Sequence, residues 1–360
     1  MMLEAWRRLA LAAPRAWGDT RCGGVLRAVP EDFIVEEDLG FAPDGDGAHL
    51  LLKVRKRNAN TGWVAQELAR ALGCAVRDVG FAGLKDRRAV AIQWFSLPAT
   101  ARALSQCAGL ENPEFSVLEV HRHRRKLPRG ALAGNAFTVR IRDYGGSAEQ
   151  LRERCELLAR SGVPNYFGPQ RFGREAGNLA RLLALSGPDS PRCGGRPEGF
   201  VLSAARSLIF NAVLGERVQE QSWNRMQIGD VANLDGRGSL FAVAELTADL
   251  PDRLARLEVH PTGPMWGAGE LPSRGGPLAL EQRIGAQLPA ACEFTVGAGL
   301  RQERRSLRLK VRDLQWEREA AGAALLRFWL RSGSFATAVI REIISDGVAV
   351  NEPAIVDADD

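Results

Sequence analysis

Strand-like alternation occupies both ends of this chain and is missing from its middle, and that division limits the fold more than any other feature. PEDFIVEEDLGF (30–41) alternates apolar and acidic residues as a half-exposed strand does. HLLLKVRK (49–56) and VAIQWFSL (90–97) read as further strands. NAFTVRIRD (135–143) puts Phe137, Val139 and Ile141 on one face and Arg140 and Arg142 on the other. Alternation returns after residue 305 in SLRLKVRDLQWER and AALLRFWLRSGS. Helices intervene. Asn60-Thr61 caps one that runs through WVAQELARAL to Gly73, and AEQLRERCELLARSG (148–162) turns Leu151, Cys155 and Leu158 inward. FATAVIREII (335–344) forms a third, capped by Ser334.

The middle has another texture. VPNYFGPQRFG (163–173) is rich in Gly, Pro and aromatics, and helical stretches follow at 175–185 and 203–220. A hairpin-like segment spans 226–246, and PTGPMWGAGELPSRGGP (261–277) reads as a long surface loop. Residues 1–160 and 306–351 therefore read as one α+β body, 161–305 as an insertion, and 352–360 as a disordered tail. A length of 360 residues suits two such units.

Composition excludes several classes. No apolar run is long enough to cross a bilayer, and LALAA near the N-terminus is too short for a secretory signal, which predicts a cytoplasmic protein. Six cysteines without a C-x-x-C pair and four histidines without ligand spacing argue for reduced thiols and against a zinc site. The net charge of +5 is clumped: KVRKR (53–57), HRHRRKLPR (121–129) and RQERRSLRLKVR (301–312). Such runs are either solvated faces or a surface for a phosphate backbone, and three of them favour the second.

GFAGLKDRRAVAIQWFS (80–96) carries the sharpest chemistry. Asp86 stands between Lys85 and Arg87-Arg88. Cations within a few ångströms of a carboxyl favour its ionised form, which predicts a permanent carboxylate: a poor general acid, but a credible nucleophile, electrostatic stabiliser or metal ligand. A metal would recruit further carboxylates, and the cations oppose it. The loop alone leaves a nucleophile and a structural ion pair both open.

GFAGLKDRRAV resembles the signature loop of the TruD family of tRNA pseudouridine synthases, in which a G-x-K-D turn presents the essential aspartate. PEDFIVEEDLGF, KLPRGALAGNAF (126–137), GVPNYFGPQRFG (162–173), LSAARSLIFN (202–211) and RSGSFATAVIREI (331–343) resemble further family blocks, in the family's order and across nearly the whole chain. The resemblance implies a pseudouridine-synthase-like mixed, largely antiparallel sheet with flanking helices and an inserted α+β domain. It also implies isomerisation of uridine to pseudouridine in tRNA, at position 13 of the D-arm, with no cofactor or metal. The partner would be tRNA, and neither a membrane nor an obligate protein partner is implied; a monomer suffices.

On that resemblance Asp86 is catalytic and Lys85 pairs with it, while Phe33, Asn135 and Phe335 line the uracil pocket. An Asn side chain offers both donor and acceptor to a uracil edge, and aromatic rings stack on any base. Taken without the resemblance, Phe33 and Phe335 read as packing and Asn135 as a turn residue. Phe137 looks like a supporting aromatic and shares its strand face with core residues. Arg171, in NYFGPQRFG, either touches RNA or packs in a hinge between body and insertion. Arg27 stands where many family members carry lysine, and its cation is expected to keep a phosphate or orienting contact. Two other classes compete: a non-catalytic RNA-binding protein using the same cleft, and a phosphoryl-transfer enzyme. The latter would need a P-loop or a Mg²⁺-ligand cluster, and neither occurs in the sequence.

Overall fold

The computed structural model describes residues 2–186 and 199–345, so the expected C-terminal tail and Cys193 lie outside the described residues. In chain order the first elements are α1 (Met2–Leu11), β1 (Val25–Leu26), β2 (Phe33–Asp38), β3 (His49–Arg57), α2 (Thr61–Leu72), β4 (Gly80–Phe81), β5 (Val90–Pro98), α3 (Ala101–Gln106), β6 (Phe115–His123), β7 (Gly134–Arg142) and α4 (Ala148–Ser161). Next come β8 (Val163–Pro164), α5 (Gly177–Leu185), α6 (Gly199–Gln219), β9 (Val231–Leu234), β10 (Leu240–Ala242), α7 (Leu250–Ala255), β11 (Val259–Met265), α8 (Gly275–Gln287), α9 (Pro289–Gly297) and β12 (Glu303–Ser306). β13 (Arg308–Leu309), β14 (Arg312–Arg318), β15 (Ala324–Arg331) and α10 (Ala336–Ile340) follow.

One nine-stranded sheet runs β14-β15-β7-β2-β5-β3-β6, with β1 added to β7 and β4 to β5. Its pairs are antiparallel apart from β2 with β5. This is the mixed, largely antiparallel α+β sheet that the family resemblance implies, assembled from strands at both ends of the chain. Helices α4 and α10 cover one part of it, burying Leu151, Cys155, Leu158 and Val339 against Phe137, Val139 and Phe328. Helices α2 and α3 cover another, around Leu52, Val54, Leu68 and Phe95. Residues of the middle section form a four-stranded sheet, β10-β9-β11-β12, and a helical core around α6. Trp6 and Ala10 of α1 pack into that helical core.

Two local expectations are corrected. The 261–277 segment is a surface loop only in its middle, 266–274: Pro261 to Pro264 lie buried in β11, and α8 begins at Gly275. β11 sits between β9 and β12, and a Cβ on Gly263 would come within 2.9 Å of Leu307 and 3.3 Å of Phe210. Packing against α6 thus overrides the turn signal of Gly and Pro. At the C-terminal end, Phe335 rather than Ser334 occupies the cap of α10, without a side-chain capping bond, and the helix proper ends at Ile340.

Candidate active site

Asp86 lies in the hairpin loop between β4 and β5, which pair Gly80 with Ser96 and Phe81 with Phe95. Gly80 is required there, because a Cβ would stand 2.5 Å from the Ser96 hydroxyl and 2.6 Å from the Leu127 carbonyl. Three buried polar side chains hold the loop from beneath. Gln93 Nε2 donates to the Gly83 carbonyl at 2.7 Å. Thr61 Oγ1 donates to Gln93 Oε1 at 3.0 Å and accepts from the Lys85 backbone N–H at 3.1 Å. Lys56 Nζ donates to the carbonyls of Ala59 at 2.7 Å and of Asp86 itself at 3.1 Å. Lys56 is fully enclosed, and burial pulls its ammonium down to about 8, against the pull of the Asp86 charge. Such a net leaves the loop few alternative conformations.

The cation on the Asp86 carboxylate is Arg27, with Nη1 2.7 Å from Oδ2; the Arg88 backbone N–H reaches Oδ1 at 3.3 Å. Arg27 sits just after β1 in the left-handed region, at φ 54°, which costs a non-glycine residue roughly 1 kcal/mol. Its guanidinium also lies 4.3 Å over the Phe33 ring. One arginine thus ties the carboxylate to the first aromatic of β2.

Lys85 does not pair with Asp86, contrary to expectation. Its Nζ stands 2.8 Å from Oε1 of the buried Glu37, whose other oxygen accepts from the Trp94 backbone N–H at 2.8 Å. Sequence neighbours in the loop thus point apart, Lys85 to the buried Glu37 and the half-buried Asp86 to Arg27. Burial pushes the Glu37 carboxyl up, and Lys85 opposes that shift. Glu37 in turn lies opposite Asn135 in the β2–β7 register.

Asn135 is 8% exposed, and its Oδ1 is buried without a hydrogen-bond partner. An enclosed acceptor left open is costly, on the order of 1–3 kcal/mol, unless something else satisfies it. Phe137 is buried, stacked on Phe328 at 5.4 Å and edge-on to Phe33 at 6.0 Å. Phe335 packs toward the core of the middle section, 5.8 Å from Phe167. Arg171 lies over both rings, at 5.2 Å from Phe167 and 5.6 Å from Phe335. Sequence reasoning missed Arg305, whose guanidinium stands 4.3 Å over Phe167 and 6.0 Å from Phe335. It also missed Glu37, Lys56, Thr61 and Gln93.

The basic runs divide on folding. In the first, Lys53 pairs with Glu36 and Glu119, Arg57 with Glu31, and Lys56 is interior. In the second, Arg124 pairs with Asp46 and His123 with Asp44. In the third, Arg304 is buried on Glu281, and Arg312 meets Asp235. Part of the clumped charge is therefore neutralised within the fold. No group of three or more His, Cys, Asp or Glu able to hold a metal occurs among the described residues. The five described cysteines are free.

The family model of tRNA pseudouridine synthase D matches residues 14–181 and 198–343. The chain belongs to the TruD family. A tRNA pseudouridine synthase D from Methylococcus capsulatus is 43% identical over 331 residues, covering 92% of this chain and 94% of that protein. One from Pseudomonas entomophila is 43% identical over 336 residues, with 93% and 95% covered. The solved structure of a Methanosarcina mazei chain given the TruD description is 24% identical, covers 94% of this chain and 97% of its own, and superposes with a TM-score of 0.70. It shares the fold. TruD proteins are tRNA pseudouridine synthases, isomerases that convert uridine to pseudouridine in tRNA, and that activity is the one this chain carries.

Proposed function

We propose that Asp86 is the essential carboxylate of this isomerase and that its target is the uridine at position 13, in the D-arm of tRNA. The observation that carries the reading is the Arg27–Asp86 contact of 2.7 Å on a loop pinned from beneath, with Arg27 resting on Phe33. The reaction breaks the bond from uracil N1 to the sugar C1′, turns the base, and joins C5 to C1′. The proton lost from C5 is balanced by one gained at N1. A carboxylate in a fixed position serves attack on C1′, attack on C6, or removal of a sugar proton, and each begins with the group ionised.

Holding the base in place during the turn falls to the pocket. Asn135 supplies the open acceptor that a uracil N3–H satisfies, and Phe33 and Phe335 supply ring faces on which the flipped base stacks. Flipping costs a few kcal/mol, and stacking returns about 1–3 kcal/mol per base. Lys85 acts one step back, fixing Glu37 beneath β2 next to Asn135. The site residues come from one chain, and a monomer in the cytoplasm acting on tRNA fits them. Among the described residues no helix is long and apolar enough to cross a membrane.

The test uses an unmodified tRNA transcript without metal or nucleotide. Wild type should form pseudouridine at position 13. Asp86→Ala should lose activity by about 10⁴-fold or more while still binding the transcript. Full activity in Asp86→Ala sinks the assignment of the carboxylate. Product at another position sinks the choice of target.

A further inference from the structure

Most buried arginines of the middle section are saturated. Arg217 donates to both oxygens of Asp230 at 2.9 and 3.1 Å, and to the carbonyls of Ser222 and Arg225. Arg304 forks onto Glu281 at 2.8 and 2.9 Å. Arg171 and Arg305 differ. The Arg171 guanidinium makes no hydrogen bond or ion pair among the described residues and rests only on the faces of Phe167 and Phe335. Arg305 donates to the Gly333 carbonyl at 3.1 Å and to Asn165 Oδ1 at 2.7 Å, meets no carboxylate among the described residues, and has a buried Nε without a partner.

Two like charges on one aromatic cluster, both partly desolvated and neither with an acid, cost free energy for as long as the cluster stays empty. Burial lowers both guanidinium pKa values, and Arg171 adds repulsion to Arg305, whose value falls to about 9. An anion between them removes that cost. Arg305 uses two of its five N–H donors on neutral oxygens, and Arg171 has the whole fork free. A planar guanidinium on a ring is also oriented in advance, so little entropy is lost when it binds.

We propose that Arg171 and Arg305 form a phosphate clamp that grips the RNA backbone beside the target nucleotide, resting on the reading that Phe335 borders the uracil pocket. The clamp holds the strand while the base is out of its stack. Both guanidiniums reach within 6.0 Å of the Phe335 ring centre, so phosphate and base are held from one aromatic platform.

Filter binding of unmodified tRNA across a salt series tests this on the full chain. Arg171→Gln removes no hydrogen bond within the described fold and relieves the repulsion on Arg305, so thermal stability should be kept or slightly raised. It should weaken tRNA binding about ten- to a hundredfold and reduce the slope of log K against log salt by about 1. Arg174→Gln, an exposed neighbour beside Glu175, should change neither. Arg305→Lys keeps the charge but not the fork; it should bind several-fold more weakly with the slope retained. Wild-type affinity and slope in Arg171→Gln overturn the clamp, as does an equal loss in Arg174→Gln. Wild-type binding in Arg305→Lys removes Arg305 from it. The role of Asp86 is read separately from product formation, so these outcomes do not disturb that assignment, nor would its failure mimic them.

Discussion

The Asp86 loop and the Arg171–Arg305 cluster are built in opposite ways. In the loop nearly every polar group is engaged: Gln93 on Gly83, Thr61 on Lys85, Lys56 on Asp86, Arg27 on the carboxylate. The cluster leaves its cations without acids, on rings that supply position but no neutralisation. A group that reacts gains from having its geometry fixed before substrate arrives, because misplacement by an ångström is costly in rate. A group that binds gains from remaining unsatisfied until its ligand supplies the missing charge. The same protein thus spends side chains on rigidity in the loop and keeps valence open in the cluster.

Breaking Arg27 strikes the rigid side hardest after loss of Asp86 itself. Arg27→Met removes the bond to the carboxylate and the cover over Phe33, and should lower kcat/KM on tRNA by about 10²-fold. Binding of tRNA should stay within a few-fold. Arg27→Lys should recover part of the rate, since it restores charge but not the planar stack on Phe33. If Arg27→Met instead weakens tRNA binding and spares the rate of bound substrate, Arg27 is a phosphate contact and belongs with the open side of the comparison.

Lys56 offers a smaller but sharper break, because structure and reactivity should move in opposite directions. The folded chain releases the Lys56 proton near pH 8, whereas an unperturbed lysine holds it to about 10.5. Between those values the unfolded chain binds more protons, so stability gained from this group rises with pH through that window. Below pH 8 both states hold the proton, and the folded state carries the full cost of an enclosed charge. Lys56→Met should therefore keep or raise stability at pH 7, by up to roughly 3 kcal/mol, and abolish the rise between pH 8 and 10.5. Activity should nonetheless fall about tenfold, since the Asp86 and Ala59 carbonyls lose their donor. Denaturant unfolding across pH, with initial rates alongside, checks both. A variant that is destabilised at pH 7 and fully active contradicts this account.

Much of this was written in the parity of the strands. Phe33, Val35 and Glu37 share one face of β2, and Leu52, Val54 and Lys56 share one face of β3, so a carboxylate and an ammonium at buried positions were legible as anomalies. Gln93 likewise falls in step with Ala91 and Phe95. Their partners were not legible. Lys85 is adjacent to Asp86 in sequence yet meets Glu37, while Asp86 meets Arg27 from a distant strand end, because contact follows the direction of side chains and not proximity along the chain. The cation-rich runs pointed to a phosphate backbone, but not to which cations stay inside: Lys53 and Arg57 meet carboxylates on one face of β3, while Lys56, on the other, is held by carbonyls. β11 was hidden because its Pro and Gly residues carry a turn signal, and only its place between β9 and β12 makes them a strand.

Phe137 tests where the pocket ends and the core begins, and there the smallest change is expected. Its ring stacks on Phe328 and meets Phe33 only edge-on, in a face shared with Val139 and Ile141. Phe137→Leu should lower stability by about 1–2 kcal/mol, from lost burial and lost ring contact, and change kcat/KM by no more than about threefold. Thermal unfolding and steady-state rates measured on one preparation separate the two effects. A tenfold loss of rate at unchanged stability would move Phe137 into the wall of the uracil site and make β7 a pocket strand along its whole inward face, from Asn135 to Val139. The expected result instead confines substrate contact on β7 to the end of the strand, where Asn135 leaves its acceptor open. The floor behind it is then ordinary core, whose part in the reaction is to keep Phe33, and through it Arg27, in place.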